Sequence, residues 1–450
     1  MNSRKLISIS VLLLVVITLK AQHTPEAFES AGTGATTTLV TDYQSLGVNP
    51  ANLGFPQDER LIHLSFLETG FSFTSDAISR KDIWQNIISK NVNEFSREDK
   101  LQAANVFSGA GFLMNTNINL VSFSFQHETL GGLGFVVRER MGNQIRLNKN
   151  LAELIFLGKN ASYFQSGQPT SLRQIFDESK ISGSWYREII LGYGRRVLKL
   201  PGIKLYVGLD AKYILGYGNL NISNLQGNFS ARSSITPSMD INYDASSPTA
   251  LTQSGLTPVG HGFGIDVGGT IKFLDMIKAG VSFNDLGSIT WDSETYEAKN
   301  ITVDSISSSG FDSYNFISEV KDIFQNQHIF QWKGRKEYTT GLPAHVKLGA
   351  SFNPFDWVEF GVDMYAPFNG HAANMDKVIF STGGYFQIGS LLKLSAGYVT
   401  GDVYVDNYPV GITFGFPNWE MGFSTGDITT FFRHENPTLS LSTGFLRFKL

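Results

Sequence analysis

Charged residues recur at alternate positions inside otherwise apolar stretches: Lys204, Asp210 and Lys212; Asp266 and Lys272; Lys347; Glu359 and Asp363. Residues two apart share one face of a strand, so these charges stand opposite an apolar face. The chemistry open to such a set is ion pairing on a common polar surface of mixed sign, with no preference for either ion type. Other chemistry finds less support. The chain contains no G-x-S-x-G, no Walker A loop, no H-E-x-x-H and no EF-hand loop. "GHGFG" at 260–264 lacks dinucleotide-fingerprint spacing and opens a strand, and the 8 histidines are scattered rather than set at metal-ligand spacing. With 0 cysteines there are no thiolate sites, no disulfides and no lipidated Cys anchor. The expectation is a protein that is no enzyme and carries no metal and no cofactor, although a Ser–His pair split between strands would leave no local mark.

The elements that carry these charges are strands. In "GIKLYVGLDAKYILGY", 202–217, Ile203, Leu205, Val207, Leu209, Ala211, Tyr213, Leu215 and Tyr217 alternate with Lys204, Tyr206, Gly208, Asp210, Lys212 and Gly216. The same period of two marks about fourteen segments: 60–74, 117–127, 131–141, 185–198, 202–217, 261–274, 276–286, 344–353, 356–366, 377–389, 391–400, 409–416, 418–426 and 438–450. Two break phase, the first around Leu67 to Gly70 and the second between Leu120 and Val121, as β-bulges would. Connections alternate strictly. "HETLGG", "LKLPG", "NPFD", "GS" and "FPN" are tight turns, while 75–116, 142–184, 218–260 and 287–343 are long loops. "RKDIWQNIISKNVNEF", "NLAELIFLG" and "SLRQIFDES" read as loop helices, and 218–260 as extended or mobile chain.

Arg4 and Lys5 before the apolar run Leu6 to Leu19 predict a secretory signal over 1–22, cleaved near Ala21. A net charge of −4 offers no basic stripe, so nucleic acid is not an expected partner. The mixture of 45 glycines, 13% aromatics and 17% charged residues suits many short strands. Periodicity alone would equally fit a soluble sandwich or a lipocalin. Alternating loop lengths, together with Lys204, Lys212, Lys272, Lys347 and Glu359 all avoiding the apolar face, favour a face turned to lipid, where a midplane Lys or Arg costs about 2–4 kcal/mol. The fold expected is an all-β, membrane-spanning antiparallel β-barrel of about 14 strands over 60–450, both termini periplasmic. In "STGFLRFKL", Gly444, Leu446, Phe448 and Leu450 form one face against Arg447 and Lys449, with Phe445 on the charged face. This resembles the C-terminal signal read by Gram-negative barrel-assembly machinery during biogenesis, departing from it by ending in Leu; an ordinary terminal strand is the alternative.

A lumen of this size needs filling, and residues 23–59 precede the first strand. "DYQSLGVNPANLGF", 42–55, combines glycines for close approach with a Pro and spaced hydrophobics that need burial, as a plug would; a periplasmic linker is the alternative. Asn49, Pro50 and Ala51 resemble the NPA motif in the N-terminal hatch of the FadL family, fourteen-stranded outer-membrane transporters of hydrophobic molecules. The signal ending in Ala-Gln and the aromatic-rich hairpins resemble the Bacteroidota branch of such barrels, which includes PorV-like members. The resemblance covers the whole chain in architecture and one short motif in sequence. It implies that Asn49, Pro50, Ala51 and Asn52 are hatch residues, that outer-membrane lipid surrounds the barrel, and that small, hydrophobic molecules cross it. The PorV-like members imply the other outcome, a non-transporting subunit of an outer-membrane secretion or assembly complex.

Overall fold

The computed structural model describes residues 32–55, 61–75, 95–109, 111–165, 170–225, 228–239, 256–298, 302–303, 310–311, 332–371, 374, 377–401, 404–432 and 438–450. The expected signal segment and most of the expected helix "RKDIWQNIISKNVNEF" lie outside them.

Fourteen antiparallel strands form a closed barrel. In chain order they are β1 Ile62–Ser75, β2 Gly111–His127, β3 Gly131–Arg146, β4 Lys180–Leu200, β5 Ile203–Leu225, β6 Gly260–Phe273 and β7 Ile277–Trp291, followed by β8 His345–Phe355, β9 Val358–Pro367, β10 Ile379–Ile388, β11 Leu392–Gly401, β12 Val410–Gly415, β13 Trp419–Thr425 and β14 Thr438–Lys449. Each expected segment corresponds to one strand. Every strand pairs with its neighbours in sequence, and β14 returns to β1 through pairs such as Phe66↔Leu446 and His63↔Lys449. Among these fourteen strands no edge is left unpaired, which removes the template for aggregation that an open sheet presents.

The phase break in β2 is a bulge; the one in β1 is a single left-handed residue that leaves the register on both sides unchanged. Leu67 has φ 55° and no partner between Phe66↔Val121 and Glu68↔Asn119. Phe66 and Leu67 therefore both face outward, and Glu68 turns inward, fully buried. On β2 the register against β3 shifts between Asn119 and Val121. A further bulge lies in β14, where register against β13 shifts between Glu420 and Gly422. It corrects the expected terminal face: Gly444 lies on the buried side, while Phe445 and Leu446 are both exposed outward and Arg447 is 3% exposed inside.

The outer surface carries Leu191, Leu209, Phe263, Val267, Phe360 and Val362, all at least 43% exposed. One ion pair departs from this apolar band: cross-strand partners Glu139 and Arg187 face outward and meet at 2.5 Å. Trp185 donates to the same carboxylate at 3.0 Å, and the Arg187 guanidinium lies 5.4 Å from the Tyr217 ring centroid.

At the long-connection end, α1 Arg97–Phe107 and α2 Lys149–Leu157 pack together around Phe107, Leu151, Leu154, Phe156 and Phe311. Ser96 and Asp99 form a capping box at the start of α1, and Asn148 caps α2. The "NLAELIFLG" helix is thus present, "SLRQIFDES" gives only the turn Leu172–Ile175, and α1 is a helix the periodicity did not reveal. Within 218–260, β5 runs on to Leu225 and pairs with the strand Asn228–Ile235.

Candidate functional site

Residues 32–55 lie inside the barrel, and almost every side chain in the segment is buried. Two 3-10 turns, Asp42–Ser45 and Pro50–Gly54, give it shape. Proline suits the first position of the second turn because its missing N–H has no partner there. Asn49 caps that turn by accepting from Ala51 N at 3.2 Å. Its Nδ2 donates to Thr37 O at 3.0 Å and to Thr270 Oγ1 on β6 at 2.9 Å. Asn52 donates to Thr37 O and Val40 O, and accepts from the Thr270 hydroxyl at 3.0 Å. Asn49 and Asn52 thus tie the segment to itself and to the wall, while Pro50 and Ala51 touch the wall directly.

The wall is shaped to receive backbone. A side chain at Gly208 on β5 would overlap Pro50, and one at Gly132 on β3 would overlap the Leu53 carbonyl. Leu46 and Leu53 fill the remaining apolar contact with Val136 and Ile190. Wall side chains then satisfy the segment's carbonyls. Ser282 donates to Val48 O at 2.6 Å, and Gln126 donates to Leu53 O and Phe55 O at 3.0 and 2.9 Å. Such satisfaction is required of buried backbone polar groups.

The charged residues singled out from sequence fall into three groups. Asp363 accepts from Thr36 N and Thr37 N at 2.5 and 2.8 Å, Lys347 donates to Thr36 Oγ1 at 3.3 Å, and Asp210 accepts from Gly47 N at 3.0 Å. Glu359 pairs with Lys278 at 2.8 Å, and Lys278 in turn donates to Thr38 O. Lys212 meets Asp266 at 2.9 Å and also contacts Asp285. These residues lie in the lumen. Lys204 and Lys272 instead meet Asp275 in the β6–β7 turn, at 2.7 and 3.4 Å, and the Lys204 hydrogen bond holds that carboxyl below its ordinary range.

Several partners had not been singled out. Arg138 and Arg140 both bind Glu188, and Arg140 reaches Asp285 at 2.9 Å. Arg138, Arg140 and Glu188 do sit at alternate positions of expected strands, so their spacing would have found them. Glu68 and Asp285 were hidden, because the left-handed Leu67 beside the first and a bulge at the second put each on the face that strict alternation denies it. Together with Arg447 and Tyr43, Glu68 forms the contact that joins the segment to both closing strands: Tyr43 Oη donates to Glu68 at 2.7 Å. What this arrangement does is seat residues 32–55 against the wall through numerous short-range polar contacts. Among the described residues no cluster of His, Cys, Asp and Glu suits a metal ion.

Solved structures similar to the chain include the Pseudomonas putida toluene transporter TodX, 11% identical with a TM-score of 0.45 over 96% of this chain and 100% of that one. The Ralstonia pickettii toluene transporter TbuX is 11% identical, TM-score 0.45, over 96% and 99% of the two chains. A Pseudomonas aeruginosa FadL homologue is 9% identical, TM-score 0.41, over 95% and 98%. No curated protein matches. A family model, described as a family of unknown function (DUF5723), matches residues 55–423, most of the barrel, and the chain belongs to that family.

Proposed function

We propose that this protein is an outer-membrane β-barrel in which residues 32–55 serve as a hatch, and that displacement of the hatch admits small molecules, hydrophobic ones among them. The observation that carries the reading is the mode of seating. The segment is held by backbone and neutral side-chain hydrogen bonds, each worth about 0.5–1.5 kcal/mol net, with ionic contacts concentrated at a few points. Such a set exchanges for water piece by piece. The outward apolar band and the inward charges support residence in a membrane, where lipid-exposed charge is expensive. The NPA resemblance at Asn49, Pro50 and Ala51 supports the hatch.

A second reading has its own support. Wall contacts to the segment come from β3 at Gly132, through β7 at Ser282, to β9 at Asp363, so it crosses the lumen from one side to the other. A barrel filled in this way also suits a subunit of an outer-membrane complex that passes nothing.

The chain has 0 cysteines, so an engineered pair is unambiguous. Asn49→Cys with Thr270→Cys places thiols where the side chains now touch. If the hatch moves, the oxidised protein loses solute uptake in liposomes and reductant restores it. Uptake that is absent in the wild type and in a variant lacking residues 23–52, together with a stoichiometric complex on mild detergent extraction, would falsify passage and favour the second reading.

A further inference from the structure

We propose that Asp210 and Asp266 hold one proton between them, and that this proton is what lets the carboxyl pair seat the N-terminal segment. The two are direct cross-strand partners on β5 and β6, face the lumen and are fully buried. Asp210 Oδ2 accepts from the Gly47 backbone N–H, but Asp210 Oδ1 meets no donor and lies against the Gly192 wall. Asp266 Oδ1 accepts from Asp285 N at 2.7 Å. Its Oδ2 has Lys212 Nζ at 2.9 Å, outside hydrogen-bonding angles. As register partners on the lumenal face of adjacent strands, the two carboxyls stand side by side. Two acceptors facing one another in a buried site repel unless a proton lies between them.

The charge count of the surrounding cluster points the same way. Arg138, Arg140 and Lys212 supply three cations; Glu188, Asp285, Asp266 and Asp210 supply four carboxyls. One shared proton makes the cluster neutral, and an uncompensated charge in a buried site is strongly disfavoured. Three further titratable groups border the cluster beside Asp285: His345 on β8, Tyr186 on β4 and His371 in the connection between β9 and β10. Among the described residues of the N-terminal segment, the hydrogen bond the pair receives is the Gly47 N–H. Removing the proton leaves adjacent anions under the Gly47 anchor, so the seat is held at neutral pH and loosens as pH rises through the pair's titration.

The first half stands on geometry and charge; the second rests on the hatch reading. The test is difference infrared spectroscopy of the full-length protein in lipid vesicles with carboxyl-labelled aspartate, alongside accessibility of a label at Gln44→Cys. A protonated-carboxyl band at neutral pH that disappears on alkalinisation, and is absent in Asp266→Asn and in Asp210→Asn, is the expected result. Glu359→Gln leaves it in place. The label becomes accessible as the band is lost, and stays protected in Asp266→Asn, whose amide supplies a donor without a charge. No band in the wild type, as a bridging water or cation would give, overturns the shared proton, and needs no variant to fold. A band that titrates while the label stays protected overturns the seating half. Uptake measured on the same vesicles reports separately on passage, because the band does not depend on it.

Discussion

Arg447, near the end of β14, donates from Nε to the phenolic oxygen of Tyr43 at 2.8 Å, and the same Nε lies 3.1 Å from Glu68 on β1. The last strand, the first strand and the N-terminal segment thus meet at one guanidinium, which is 4% exposed. Removing it strands a carboxylate. Arg447→Met is expected to destabilise the barrel by about 3–5 kcal/mol, the range for leaving a buried charge unpaired. Tyr43→Phe deletes hydrogen bonds without exposing a charge and is expected to cost about 1–2 kcal/mol. The measurement is the temperature at which the folded barrel loses its anomalous electrophoretic mobility. Adding Glu68→Gln to Arg447→Met should recover part of the loss; equal losses for Arg447→Met and Tyr43→Phe would remove the ionic role.

Gly208 shows what the wall gives up to receive the segment. Alanine there overlaps Pro50, whereas at Gly269, also in the wall, the nearest atom to an added Cβ is Tyr206 O at 3.9 Å. Gly208→Ala is expected to displace residues 32–55 while leaving the barrel folded, because the strain of about 1–3 kcal/mol falls on the segment's contacts. Limited proteolysis reads this directly: cleavage within the segment rises in Gly208→Ala and not in Gly269→Ala. Equal protection in both would show that the segment tolerates a shift.

The strands were legible because period-two alternation is a local property, and an apolar outer face with charge inside enforces it on every stave. Bulges and left-handed residues limit what alternation reveals. Leu67 and Leu120 announced themselves as phase breaks, yet the consequence for Glu68, which turns inward, needs the three-dimensional register. Asp285 and Gly444 were misplaced or missed for the same reason. The burial of Asn49 and Asn52 was suggested by composition and motif, but not their bonds to Thr270, since a contact across 218 residues or more leaves no mark in local spacing. Helix α1 was missed because its apolar residues Ala103, Ala104 and Phe107 make a weak stripe that only the α2 side chains complete.

The outward band predicts an asymmetric response to charge. Leu209 is 51% exposed in mid-strand, and Leu200 is 49% exposed beside the β4–β5 turn. Leu209→Lys is expected to destabilise folding into vesicles by about 2–4 kcal/mol, and Leu200→Lys by about 0–1 kcal/mol, following depth in the bilayer. Denaturant titration of refolding into thin-bilayer vesicles checks this. Equal effects at both positions would place the apolar band against protein rather than lipid.

The connection between β9 and β10 carries a pH-dependent anchor. Asn369 donates to Leu342 O at 2.6 Å and Asn374 to Ala344 O at 3.0 Å, docking this loop on the chain before β8. Between them His371 packs against Tyr186, ring centroids 6.3 Å apart. Burial, reinforced by the nearby Arg140 charge, lowers its pKa from 6.5 to about 4. The docked loop therefore holds a neutral imidazole where the undocked loop would take up a proton. Between pH 6.5 and about 4 the undocked state binds more protons, so docking strengthens as pH rises through that window and weakens as it falls. Amide exchange around Asn369 and Asn374 should accelerate on acidification across this range, and His371→Asn, which cannot titrate, should flatten the response. Exchange that is insensitive to pH in the wild type would mean that His371 is protonated, or solvated, in the docked loop.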